Sequence, residues 1–345
     1  MKLTLLIPCH NEETGLGKCL ESALRQTRPI DEILVINDGS TDKTTRILDD
    51  LAASHPVIIP VHLTQNTGNK SRAQEIGFQY VTGDIIIMTD GDTLLDPHFA
   101  EKIENAFAND HRGNLAAVSG RVRSLKHNWI TACRQIDYAI GFDVFKQAQA
   151  IIGYVFVMPG CATAIRTEAL RELRLDHDTV TEDLDLTYQI HLKGWRIEFR
   201  PDALVYTQDP PNLASYIRQM RRWYAGSWQN FMKYHSIMFR KPAAALELTL
   251  IVVEGLVYPS LLFGTMLLFP IYFFVKILPL YLVAAFAFSV YAAIRNRRLD
   301  LIGSFPDYLW LMFLNGILSI IEFFSEVVFH RKNLVWHKAD RVNIP

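Results

Sequence analysis

The chain is poor in cysteine, balanced in charge and without a glycine-rich dinucleotide fingerprint, and each shortage removes a class of function. Its four cysteines, Cys9, Cys19, Cys133 and Cys161, form no CxxC pair and lie near no histidine cluster. A disulfide framework and a zinc site are thereby excluded, and a reducing, cytosolic compartment is expected. With 35 basic against 36 acidic residues, no global charge calls for nucleic acid. No GxGxxG follows the first strand-like run, so the dinucleotide-binding reading falls away. Ahead of Cys9 only LTLLIP follows Met1-Lys2, too short for a secretory leader or a membrane span. The expectation is a catalytic part that stays on the cytosolic side.

What is present is divided unevenly along 345 residues. Residues 1 to about 240 read as a soluble α/β protein, and residues 243 to about 329 are dominated by Leu, Phe, Val, Ile, Ala and Tyr. In the first part, strand-like runs at 3–8, 32–37, 57–63 and 85–89 alternate with helical patterns at 16–25, through 51 and after 70. That alternation predicts βαβ units and a mostly parallel, Rossmann-like sheet, with ligands beyond the carboxyl ends of the strands. The loops at those ends carry acids: Glu12, Asp38, and the pair Asp90 and Asp92 in MTDGDTLLD.

Alternate carboxylates at a strand end are hard oxygen ligands for Mg²⁺ or Mn²⁺, and such an ion would hold a substrate diphosphate. Asp-Gly-Asp is also an ordinary turn sequence, and on this motif alone both readings stand. Asp38 and Glu12 suit donors on a uracil ring or a ribose, while Ser40, Thr41 or Asp42 caps the next helix and leaves Asp38 free. Lys70 and Arg72 face phosphate or solvent. Glu182 and Asp183 either serve a reaction or favour the N-terminus of the helix at 184–192. Gln219, Arg222 and Trp223 fall at i, i+3 and i+4 of a helix, on one face. The same stretch, with Arg218, Arg221, Tyr224 and Trp228, has the composition of an amphipathic helix lying on a bilayer.

Taken in order, IPCHNEE, VINDGSTDKT, NTGNKSRAQEIG, MTDGDTLLD, VMPGCATAIRTEAL, VTEDLDLTYQIHLKGW and QMRRW resemble the motifs of a family 2 glycosyltransferase of GT-A fold. The last two match the TED and QxxRW motifs of membrane-embedded polysaccharide synthases, among them the poly-β-1,6-N-acetylglucosamine, hyaluronan and cellulose synthases. The resemblance covers residues 3 to about 235. It implies Asp183 as general base supported by Glu182, a donor site of His10, Glu12, Asp38, Lys70 and Asp90, and Mg²⁺ or Mn²⁺ on Asp92 and Asp90. It also implies an acceptor and diphosphate site of Gly160, Cys161, Gln219, Arg222 and Trp223. Cys161 reads as a small packing residue, because no activating histidine adjoins it.

The expected divisions are a GT-A domain at 1–211, an interfacial helix region at 212–242, a transmembrane region at 243–330 and a polar tail at 331–345. Apolar runs at 244 to about 267, 271 to about 294 and 306 to about 329 are each about 24 residues, or about 36 Å as helix, enough to span. Arg295, Arg297 and Arg298 favour a cytosolic loop after the second run, in a bacterial inner or plasma membrane. The third run either spans or lies at the interface. The acids Glu254, Glu322 and Glu326 are expected to face partners or a polar channel, the alternative being that Glu247 and Glu326 lie near helix ends and snorkel.

Relatives of this kind carry one or two spans ahead of the catalytic domain. Their lack here points to a homo-oligomer, a membrane partner subunit or a product that is not a long secreted polymer. The leading expectation is an inverting transferase that moves a sugar, N-acetylglucosamine first, from a UDP-sugar to a growing polysaccharide. The alternatives are single addition to a membrane lipid, and a non-catalytic membrane subunit that binds nucleotide sugar.

Overall fold

In the computed structural model, residues 1–175, 177–238, 242–332, 334 and 340–342 are described. Most of the tail at 331–345 therefore lies outside the described residues.

Three strands are apolar enough to be buried on both faces, as central parallel strands are. They are β1 (Leu3–Cys9), β2 (Glu32–Asp38) and β4 (Ile85–Met88), and every residue in them is buried. With β3 (Ile58–Leu63), β5 (Leu94–Leu95), β6 (Leu115–Ser124), β7 (Thr163–Arg166) and β8 (Arg196–Thr207) they form one sheet, in the order β3-β2-β1-β4-β7-β6-β8-β5. Four of the seven pairings are parallel, namely β1 with β2, β1 with β4, β2 with β3 and β6 with β8. The inserted strand β7 runs antiparallel to both neighbours.

The helices between the first strands are α1 (Leu16–Leu24), α2 (Thr44–Ser54), α3 (Lys70–Phe78) and α4 (Phe99–Ala108). In α1 the buried residues Leu16, Cys19, Leu20 and Ala23 follow the i, i+3, i+4, i+7 stripe that packs a helix on a sheet. Helix α5 (Trp129–Ile140) is opened by a capping box in which the Asn128 side chain accepts from the Ile130 and Thr131 amides. Further on come α6 (Glu182–Leu192) and the 26-residue α7 (Leu213–Met238), whose start is marked by Asn212 accepting from the Ser215 amide.

Three more helices are long and apolar enough to cross a membrane: α8 (Pro242–Leu268), α9 (Pro270–Asn296) and α10 (Leu299–Val328). Helix α7 packs against the last of them. Along one flank it meets α10 at three points: the Tyr216 hydroxyl donates to Asn315 Oδ1 (3.0 Å), Trp228 Nε1 to the Ser319 carbonyl (3.4 Å), and Arg221 to Glu322. Glu322 thus faces a partner. The buried cluster between the domains draws Ile130, Cys133 and Ile136 from α5, Tyr216 and Met220 from α7, and Ala285, Ala292 and Leu311 from α9 and α10.

Candidate active site

The loops after β1, β2 and β3 lock together before any substrate is considered. Asn11, at φ 53°, turns the first loop, and its Oδ1 accepts from the Thr41 amide at 2.7 Å. Gly39 sits at φ +59° where an added Cβ would lie 2.4 Å from the Asn66 nitrogen, so only glycine fits that crossing. Asp38 is not free: Oδ1 accepts from the Thr67 amide and Oδ2 from the Thr67 hydroxyl, both at 2.8 Å. His10 Nδ1 lies 2.7 Å from the Asp38 carbonyl. Asp42 serves the first turn of α2 by accepting from the Thr44 amide.

The DGD loop after β4 meets the TED residues through one cation. Lys70, at the first position of α3, places Nζ 2.5 Å from Asp90 Oδ1 and 3.3 Å from Glu182 Oε1. Burial opposes the Lys70 charge, but Asp90 and Glu182 outweigh it and raise its pKa. In return, Lys70 overcomes the burial of Asp90 and holds that carboxyl below its ordinary value. Asp183 takes the Gly160 amide on Oδ2 at 3.1 Å and the Leu184 amide on Oδ1 at 2.9 Å. Burial, aided by the Glu182 charge, pushes Asp183 up to about 6 against the pull of Lys70. An added Cβ on Gly160 would stand 3.2 Å from Lys70 Nζ, so the backbone here lies flat against the charged cluster.

Asp92 is buried and pairs with a different cation from Asp90. Its Oδ2 lies 2.5 Å from an Arg341 guanidinium nitrogen, and Arg341 Nε lies 3.6 Å from Glu12 Oε2. Burial pushes the Asp92 carboxyl up to about 6 although Arg341 pulls it down. Sequence reasoning missed Arg341. It stands in a polar tail, 249 residues beyond Asp92, and no local pattern marks it.

Whether the pair suits a divalent cation is tested by what already neutralises it. A guanidinium rests on Asp92 and an ammonium on Asp90, so both carboxylates already take positive charge. Among the described residues no three His, Cys, Asp or Glu side chains gather into a closed cage. A Mg²⁺-type site of one or two carboxylates completed by substrate phosphates needs none, and Asp90 with Asp92 fits that kind.

The remaining expected residues are less concentrated. Cys161 adjoins Gly160, its carbonyl accepting from the Thr89 hydroxyl at 3.0 Å. Burial drives its thiol well up, which suits packing and not nucleophilic attack. Arg222 reaches back to the Val180 carbonyl at 3.5 Å, just ahead of TED. Gln219 Oε1 is buried without a hydrogen-bond partner among the described residues. Trp223 turns toward the membrane-side cluster, with the Arg134 guanidinium 4.9 Å from its ring. Gln219, Arg222 and Trp223 therefore share a helix without converging on one point.

The site therefore gathers an edge of acids, a Lys-bridged DGD–TED cluster and an Arg-bearing helix that reaches the residue before TED. Residues 2–226 match the family described as glycosyltransferase like family 2. The chain belongs to the family 2 glycosyltransferases. Among its family relatives are poly-β-1,6-N-acetyl-D-glucosamine synthases. That of Staphylococcus aureus is 29% identical over 237 residues, covering 67% of this chain and 56% of the relative. That of Staphylococcus epidermidis is 28% identical over 234 residues, with the same shares. The match thus spans little more than half the length of these curated relatives. A solved mannosyltransferase from Pyrobaculum calidifontis, in complex with GDP-mannose and Mn²⁺, shares the fold. The TM-score is 0.63 at 20% identity, over 92% of this chain and 87% of that one.

Proposed function

We propose that this family 2 glycosyltransferase moves a sugar, N-acetylglucosamine, from a UDP-sugar to a growing polysaccharide with inversion at the anomeric carbon. The observation that carries this reading is Asp183, a buried carboxylate oriented by the Gly160 and Leu184 amides beside the Lys70–Asp90 pair. The acceptor hydroxyl oxygen forms the new bond to C1, its proton passes to Asp183, and the C1–oxygen bond to the diphosphate breaks. Lys70 favours the charged form of Asp183 against burial and the Glu182 charge, Glu182 supports the site by pairing with Lys70, and Lys70 and Arg222 stand as cations toward the departing diphosphate. Glu12, Asp38 and His10 border the uridine. A Mg²⁺ or Mn²⁺ ion held by Asp92 and Asp90 would supply charge neutralisation for the leaving group. Gly160, Cys161, Gln219 and Trp223 are assigned to the acceptor side.

In this reading residues 1–211 are the catalytic domain, 212–242 the interfacial region, 243–330 the membrane region and 331–345 a tail. The cationic run Arg295, Arg297 and Arg298 favours a cytosolic catalytic domain on a bacterial inner membrane. The names of the staphylococcal relatives support N-acetylglucosamine and a polymer product.

Single addition to a membrane lipid is the second reading. It is favoured by α7, which touches the TED segment through Arg222 and the apolar helix α10 through Trp228. An acceptor leaving the bilayer would meet the site there.

A donor screen on the full chain in nanodiscs tests both. UDP release is followed with UDP-GlcNAc, UDP-Glc, UDP-GlcA and UDP-Gal, each with Mg²⁺ or Mn²⁺. Release from UDP-GlcNAc with high-mass product, lost in Asp183→Asn, is expected. Release only with added lipid, giving one small extractable product, selects the second reading. Release unaffected by Asp183→Asn overturns the assigned base.

A further inference from the structure

Helix α5 does not stop at Ile140. It runs on through a π-helical turn, Gly141–Lys146, into Gln147–Ile151. Such turns rotate the side chains that follow them and recur at functional sites. Here the turn divides two faces. Phe142, Asp143 and Lys146 are buried, while Val144, Phe145, Ile151 and Ile152 are 43%, 56%, 86% and 56% exposed. Residues 147–152 carry no charge. Four apolar side chains this open, on one short stretch, mark an interaction surface.

What covers them follows from where the stretch is tied. At its start, Asp143 Oδ2 accepts from Arg121 at 2.6 Å and from Arg295 Nε at 3.0 Å. Arg295 lies in the last turn of α9, at the cationic run Arg295, Arg297 and Arg298 that marks a headgroup level. Just past its end, Tyr154 packs with Ala244 and Leu248 in the first turns of α8. The chain between 143 and 154 thus passes from the boundary end of one apolar helix to the boundary end of another. Trp129, at the start of α5, meets Trp310 of α10 edge-on at 6.3 Å, an indole pair suited to the same level.

We propose that the stretch Val144 to Ile152 docks in the lipid surface, with Phe145, Ile151 and Ile152 in the acyl boundary, as a membrane contact additional to α8, α9 and α10. The proposal rests on reading those three helices as membrane helices. A second copy of the chain is the competing occupant. The bilayer is favoured because the face is uncharged and continuous with the ends of two apolar helices.

The docked element also reaches the site. On its inner face, Lys146 Nζ donates to the Val157 carbonyl. One residue on, the Met158 amide donates to Thr187 Oγ1 at 3.1 Å, and the Gly160 amide then holds Asp183. Lipid contact on one face therefore steadies the backbone that orients the carboxylate on the other.

The test uses the full chain in nanodiscs with and without lipid brominated in the acyl chains. Ile151→Trp and, separately, Phe145→Trp add one indole each to the wild-type background. Tyr80→Trp, beyond α3 on an exposed site of the catalytic domain, is the control. The expected result is added fluorescence quenched at least twofold by the brominated lipid for the 145 and 151 variants, and unquenched for the 80 variant. If the wild type is quenched but neither added indole is, docking is overturned while the membrane helices stand. If the wild type itself is not quenched, the membrane reading falls and docking falls with it. Quenching that is absent in discs of one copy but replaced by self-association in detergent assigns the face to a second copy and overturns the proposal.

Discussion

Arg341 lies 2.5 Å from Asp92, closer than it approaches Glu12, so the tail supplies a cation to a buried carboxylate of the DGD loop. A divalent ion on Asp92 has to displace that guanidinium or share the carboxylate with it. Arg341→Ala is expected to tighten Mn²⁺ binding in the absence of donor by up to about tenfold, near 1.4 kcal/mol. Electron paramagnetic resonance of free Mn²⁺ reads this directly. Unchanged or weaker binding would mean that Arg341 does not compete at Asp92.

The pH dependence of turnover follows from Asp183. Its folded-state carboxyl is pushed up to about 6 by burial and by Glu182, so the proton-accepting form is present above that value and is lost as the pH falls through it. The pH profile of kcat/KM should show an acid limb near 6, and Asp183→Asn should lower kcat by about 10²–10⁴. A profile flat from pH 5 to 8 would remove Asp183 from the proton transfer.

Lys70 pulls the Asp183 carboxyl down, so Lys70→Met should move the acid limb to higher pH and lower the rate together. The same change leaves Asp90 and Glu182 facing each other without their shared cation. Lys70→Arg should restore part of the position of the limb, since a cation is kept, yet not the full rate, since a guanidinium is larger and planar. A limb that shifts to lower pH would contradict the electrostatic account.

Arg134 is the structural counterpart. It is buried and donates to Asp209 Oδ1 at 3.1 Å and to Asp137 Oδ2 at 2.9 Å, joining α5 to the segment after β8. Arg134→Met strands two carboxylates, one of them buried, and should cost about 3–5 kcal/mol of stability. Thermal unfolding in detergent would show it. Asp209→Asn with Arg134→Met should recover part of the loss.

The half of the fold read most easily was local. Runs such as EILVIN and DIII carry their own burial, and the predicted strands at 3–8, 32–37, 57–63 and 85–89 lie within a residue or two of β1 to β4. Three apolar helices near the predicted spans are likewise present. What was not legible depends on contacts between distant segments. The insertion of β7 between β4 and β6, the π turn after α5, and the use of both Asp38 oxygens by Thr67 have no periodic signal. Lys146 sits in an apolar stretch, and Arg341 beside a polar tail. In both cases the chemistry arises from the neighbour, Val157 or Asp92, and not from the flanking sequence. The DGD and TED acids were legible as motifs, whereas their joining through Lys70 was not.

Strand β7 runs against β4, pairing Thr163 with Met88. Its amino end therefore arrives where β4 gives out, and Gly160 and Cys161 land beside Asp90 although 70 residues separate them in the chain. The alignment of the two halves of the site is thus a matter of strand registry. A slip of one residue between β4 and β7 would carry the Gly160 amide about 3.3 Å along the sheet. That is more than the length of its bond to Asp183, and it would invert which face each β7 side chain presents. The ladder of main-chain bonds between these two strands is, in effect, the ruler against which the carboxylate is set.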